Sequence, residues 1–67
     1  MRLYRFITGV DDSEFCHRVT QALNKGWELS GSPSLTYDAT RGRTICGQAV
    51  TKDAPGEYTP DIKLGDY

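Results

Sequence analysis

The chain has little of what enzymes and secreted scaffolds are built from. It holds one histidine and two cysteines in 67 residues. Two cysteines are too few for a disulfide framework. Neither Cys-x-x-Cys nor His-x-x-x-His occurs, so the spacings that gather metal ligands are missing. Cys16 and His17 are neighbours, but adjacent helical residues diverge by about 100° and cannot readily share one ion. Nucleophilic catalysis needs a base beside its nucleophile, and His17, the only imidazole, falls on the polar side of the helix predicted below. No glycine cluster matches a phosphate-cradling pattern. The expectation is a non-enzymatic protein with no cofactor and no metal.

Long apolar runs are also missing. None approaches the roughly 20 residues of a membrane span. Charges interrupt Met1-Arg2-Leu3-Tyr4-Arg5-Phe6-Ile7, which leaves no signal-peptide core there. These features predict a cytoplasmic protein with reduced thiols. Net charge is small, at −1, but unevenly spread. Up to Lys52 seven basic side chains face five acidic ones, and beyond it Lys63 stands against Asp53, Glu57, Asp61 and Asp66. A mildly basic body with an acidic tail falls short of a dense nucleic-acid-binding patch.

What is present is organised around Asn24-Lys25-Gly26-Trp27-Glu28-Leu29-Ser30-Gly31. Gly26 is placed to end a helix in the left-handed conformation, and Trp27 to pack back on the helix's last turn. Gly26, Trp27 and Gly31 are therefore read as a structural joint. Upstream, Phe15, Val19, Ala22 and Leu23 recur at helical spacing, with Cys16 at the edge of the stripe. This predicts a helix from about Asp12 to Lys25. Asp11 is the expected cap, with Glu14 reaching back to it from three residues on.

Residues 2–8 are rich in β-branched and aromatic types and predict a first strand, closed by Thr8-Gly9. From Trp27 the apolar period changes to two, with Leu29, Leu35 and Tyr37 on a face expected to be buried and serines and threonines on the other. Pro33 marks that strand as an edge or a bulge. Ala39-Thr40-Arg41-Gly42 reads as a hairpin turn into a third strand, Arg43 to about Lys52. That strand lacks proline and is apolar on both faces, as a central strand is. Gly31, Gly47 and Ala49 are expected to let the helix approach the sheet.

The order β-α-β-β, with a right-handed crossover, gives an α+β two-layer domain. Its three-stranded, mostly antiparallel sheet has order 1-3-2, with one helix on one face. Residues 1–52 form this single small domain, and 53–67 an irregular acidic C-terminal tail.

The run Gly26-Trp27-Glu28-Leu29-Ser30-Gly31-Ser32, the helix before it and Gln48-Ala49-Val50-Thr51-Lys52 after it resemble the bacterial domain of unknown function 1737 family. Leu3-Tyr4-Arg5-Phe6-Ile7-Thr8-Gly9 is similar to that family's first strand. The resemblance covers about residues 1–52 and implies a small bacterial domain, without catalytic or ligand-binding residues to carry over.

One helix covers one side of a sheet, so some apolar residues of the first and third strands must point away from it. The candidate interface residues are Leu3, Tyr4, Phe6, Ile7, Cys46 and Val50, with Ile45 and Ala49 beside them, and the face they occupy is left open by the pattern. The tail, broken by Pro55 and Pro60, makes a poor lid for such a face. A homo-oligomer, most simply a dimer, or another protein partner is the expected cover. The alternative is a weak RNA- or DNA-binding module using aromatic and arginine side chains on the sheet.

Overall fold

A computed structural model describes all residues 1–67. Arg2–Val10 form β1, Ser13–Asn24 the helix α1, Glu28–Asp38 β2 and Arg43–Asp53 β3, with a short 3-10 turn at Leu64–Asp66. The sheet order is β1-β3-β2, and β3 is antiparallel to both neighbours. This is the α+β arrangement expected from the sequence, with β3 at the centre.

The joint between α1 and β2 follows from local chemistry. The last helical carbonyls need donors. Gly26, at φ 96°, turns the chain so that its amide donates to the Leu23 carbonyl at 3.1 Å and the Trp27 amide to Ala22 at 3.1 Å. This is the paired Schellman arrangement, and it brings Trp27 back over Ala22. The indole is 2% exposed within a core of Leu3, Ile7, Ala22, Val50 and Ala54.

The other end of α1 differs from expectation by one residue. Asp12, not Asp11, is the cap, and its carboxylate accepts from the Phe15 amide at 3.1 Å. Asp11 is unavailable because its own amide continues the sheet ladder, donating to the Thr44 carbonyl at 3.0 Å. The residue three beyond Asp12 is Phe15, so no carboxylate can complete the reciprocal half of a capping box. For the same reason β1 does not stop at Thr8-Gly9. Gly9 pairs with Cys46, and its bare Cα lets α1 come close: a Cβ there would lie 3.4 Å from Arg18 Nη1 and 3.5 Å from Phe15.

Cross-strand partners share a face, so the register assigns every side chain. Leu3, Arg5 and Ile7 of β1, Cys46, Gln48 and Val50 of β3, and Leu29, Leu35 and Tyr37 of β2 lie on the helix side. The expected buried face of β2 is not buried: Leu29, Leu35 and Tyr37 are all more than half exposed. Two causes combine. A helix of 12 residues reaches about 18 Å, whereas an 11-residue strand runs about 36 Å. The helix also leans on β1, held where Arg18 Nη1 donates to the Thr8 carbonyl at 2.7 Å.

The small residues do other work than letting the helix approach. Gly31, at φ 72°, enters a bulge in which residues 31–33 stand opposite Gln48 alone, Pro33 among them. Gln48, buried, donates to the Gly31 carbonyl at 3.3 Å and to the Ala49 carbonyl at 2.9 Å, filling the gap. Gly31 thus belongs to the bulge and not to the joint. Gly47 and Ala49 face away from the helix, since they pair with Thr8 and Phe6 on the opposite side.

The tail is ordered against the core. Ile62, Leu64 and Tyr67 pack on the buried cluster from the helix side, and the Trp27 Nε1 donates to the Tyr67 carbonyl at 3.4 Å. The Lys52 ammonium donates to the same carbonyl at 3.2 Å. Ala54 is buried and its amide donates to the Met1 carbonyl at 2.8 Å.

Truncating a large core side chain costs about 3–5 kcal/mol, and a chain of this length has a total of roughly 3–10 kcal/mol. Trp27→Ala is therefore expected to be unfolded or without fixed tertiary structure at 25 °C by near-ultraviolet circular dichroism. Gly26→Val should lose about 1–2 kcal/mol in urea titration, from the left-handed backbone alone, because the added Cβ meets only the Lys52 stem, at 3.5 Å. Parent-like melting of both variants would contradict the joint.

Candidate association face

The sheet face away from α1 is a lattice of three rows. β1 contributes Arg2, Tyr4, Phe6, Thr8 and Val10, and β3 contributes Asp53, Thr51, Ala49, Gly47, Ile45 and Arg43. Beside them β2 contributes Glu28, Ser30, Ser34, Thr36 and Asp38. Ser30, Ser34 and Thr36 fall on this face as the alternation predicts, while Ser32 lies in the bulge. The tail's Ile62, Leu64 and Tyr67 are spent on the opposite side.

Of the six candidate interface residues, the register separates two from four. Leu3, Ile7, Cys46 and Val50 are buried on the helix side and cannot meet a partner. Tyr4 and Phe6 stand on the open face, 58% and 51% exposed, with Ile45 and Ala49 partly covered beside them. The Phe6 ring lies across Gly47, where a Cβ would come within 2.4 Å of it. An aromatic ring laid over a bare strand glycine shields its backbone, which is why Gly47 counts as buried.

The surface relief is uneven. The β1 row is a ridge of bulky side chains, whereas the middle of the β2 row is small. Between them is a hollow of about 140 Å³, bounded by Phe6, Thr8, Ser34, Thr36, Ile45 and Gly47 among others. Charges sit at the ends of the face, Arg2 beside Asp53 and Arg43 beside Asp38 in cross-strand pairs. Arg5 is not on this face; its guanidinium lies 5.4 Å from the Trp27 ring centre on the helix side. Arg41 is in the hairpin turn, its Nε 3.7 Å from Asp38 Oδ2.

Other arrangements carry less chemistry. No three His, Cys, Asp or Glu side chains gather where they could hold an ion. His17 is exposed on the outer side of α1, beside Glu14, Arg18, Thr20 and Gln21. A polar hollow of about 200 Å³ near the joint is lined by Arg2, Lys52, Glu28 and Asp53 with Gly26 and Thr51, and its opposing charges select neither sign of ligand. Cys16 is exposed and Cys46 buried, and no disulfide joins them. Burial pushes the Cys46 thiol up from its ordinary pKa, and Asp11, Cys16 and Asp12 push it further in the same direction. No helix is long and apolar enough to cross a membrane.

A small α+β domain with one bare sheet face is what these elements define. A family model for a domain of unknown function, DUF1737, matches residues 1–53, and the chain belongs to that family. Neither curated proteins nor solved structures give a match.

The thiols give a direct check. A disulfide reagent at pH 8 should titrate one fast equivalent, Cys16, and reach Cys46 only in denaturant, because the thiolate is the reactive species and its formation is disfavoured by burial. The same shift makes stability fall as pH rises above the ordinary thiol range, where an unfolded Cys46 ionises and the folded one does not. Two equally fast equivalents in the native protein would contradict this placement.

Proposed function

We propose that the domain is a non-enzymatic association module, bacterial and cytoplasmic, whose partner is a second copy of itself docked through the sheet face opposite α1. The observation that carries this reading is the surplus of surface. The chain exposes 4900 Å², whereas a folded monomer of 7.5 kDa exposes about 4,250 Å². Its radius of gyration is 13.5 Å, against about 11 Å for a compact domain of this length. The surplus approaches the roughly 800 Å² that each partner buries in a standard interface. The open face has the matching anatomy, with aromatic and small apolar groups in the middle and charges at the rim.

The runner-up is a single-stranded nucleic acid stacked on Tyr4 and Phe6. Charge weighs against it. Arg2 and Arg43 share the face with Asp53, Glu28 and Asp38, an acidic balance that repels phosphates.

Light scattering across a dilution series should give about twice the 7.5 kDa chain mass at high concentration and the chain mass at low. Tyr4→Ser with Phe6→Ser should shift that transition at least a hundredfold, since buried aromatics at an interface centre contribute about 2 kcal/mol or more each. Both side chains are half exposed in the monomer, so the fold should persist. A parent chain that stays monomeric and binds single-stranded RNA with steep salt dependence would favour the runner-up. A dimer that survives loss of both aromatics but is broken by Leu35→Ser would move the interface to the helix side of β2.

A further inference from the structure

The outer edge of β2 has nothing beside it. β2 pairs only with β3, and every residue from Glu28 to Tyr37 is exposed. No backbone bond outside the sheet ladder involves any of them. A bare row of backbone donors and acceptors is a template for another strand, and natural sheets guard it with charged side chains. β1 is guarded in that way, by Arg2 and Arg5 in the strand and by Arg18 on the Thr8 carbonyl. β2 is not: from Leu29 to Tyr37 no residue carries a charge. The first part of its edge is closed by other means. The bulge at residues 31–33 breaks the register, and Pro33 has no amide to donate. Beyond it Ser34–Asp38 pair without interruption with Gly47–Arg43. The far end is pinned, where the Asp38 carboxylate accepts from the Thr40 and Arg41 amides at 3.1 and 3.3 Å. On the helix side of this stretch Leu35 and Tyr37 are 66% and 65% exposed, and on the other side stand Ser34 and Thr36.

We infer that Ser34–Asp38 receives an extended segment of another protein as a fourth strand, with apolar side chains beside Leu35 and Tyr37 and small polar ones beside Ser34 and Thr36. In such strand addition backbone bonds supply the affinity and alternate side chains the selectivity. A charged residue within the segment would lose hydration along this neutral edge without gaining a partner, so the segment is uncharged where it pairs. The size of the template decides between a segment and a second copy. Five residues at about 3.4 Å each, on a sheet about 10 Å deep, offer on the order of 170 Å². A stable dimer takes roughly 800 Å² from each partner. Pairing β2 with itself about Thr36 would also set each hairpin turn, residues 39–42, against the other copy's bulge, where neither offers a strand. A single segment has no such turn, and an edge of this size suits a weak, exchanging contact. It docks while the sheet face opposite α1 stays free, so this inference stands apart from the proposed self-association.

Random dodecapeptides displayed on phage and panned on the full-length chain are the probe. Enriched sequences should share a run of about five residues, alternating apolar and small polar, without proline or charge. Added to isotope-labelled protein, such a peptide should shift the amide signals of Ser34–Asp38 and leave those of Tyr4, Phe6 and Ala49 in place. Strand pairing has its own signature. N-methylation at every second peptide residue should weaken binding at least about tenfold in one alternation and leave it unchanged in the other, because only one set of amides faces β2. Leu35→Lys with Tyr37→Lys, both at exposed positions, should weaken binding at least about tenfold with the urea midpoint unchanged. Tyr4→Ser with Phe6→Ser should bind the peptide as the parent does. Enrichment without alternation, no enrichment, shifts centred away from Ser34–Asp38, or equal loss in both N-methylated series would overturn the inference.

Discussion

Burial of one indole holds this domain together. Trp27 shares one buried cluster with Ala22 from α1 and Leu3 and Val50 from the sheet, and its indole donates to the Tyr67 carbonyl of the tail. A buried tryptophan removes some 150–250 Å² from water, worth about 4–6 kcal/mol at 25 cal/mol per Å², which is of the order of the whole stability of so short a chain. Gly26, at φ 96°, turns the chain so that the indole reaches that seat. A backbone preference at one residue thereby sets where helix, sheet and tail converge.

The consequence is a lopsided molecule. The helix side of the sheet receives α1, the tail and almost all the buried side chains, and the other side receives nothing. A chain of this size has too few apolar residues to seal two sheet faces, and the tail's Ile62, Leu64 and Tyr67 are used on the first. The bare face still carries Tyr4 and Phe6 along its β1 row, which is the physical ground for proposing that a second copy completes it.

Much of this was legible in the residues, and the misses share a cause. The joint at Gly26 and Trp27 and the turn at Gly42 are local demands for a left-handed residue, visible in a few letters of sequence. The central place of β3 follows from its apolar character in both alternations. That same character hid which alternation faces the helix, because a slip of one residue exchanges the faces of a strand. Leu3, Ile7, Cys46 and Val50 could not be told from Tyr4 and Phe6 without the register. Asp12 displaced Asp11 as cap because a ladder bond to Thr44, distant in sequence, claimed the Asp11 amide. Leu29, Leu35 and Tyr37 alternate as a buried face should, but burial depends on the length and tilt of a helix elsewhere. The tail's apolar residues have no period, since they dock from irregular backbone.

The helix side is packed around Trp27 beside β1, and the opposite face is the proposed place of association. Nuclear magnetic resonance of the 67-residue chain, followed residue by residue across a concentration series, addresses both halves at once. Concentration-dependent shifts are expected at Tyr4, Phe6, Ser30, Ser34 and Ala49, with the Trp27 indole signal unmoved. Shifts centred on Leu29, Leu35 and Tyr37, or no change at any residue over the range, would contradict it.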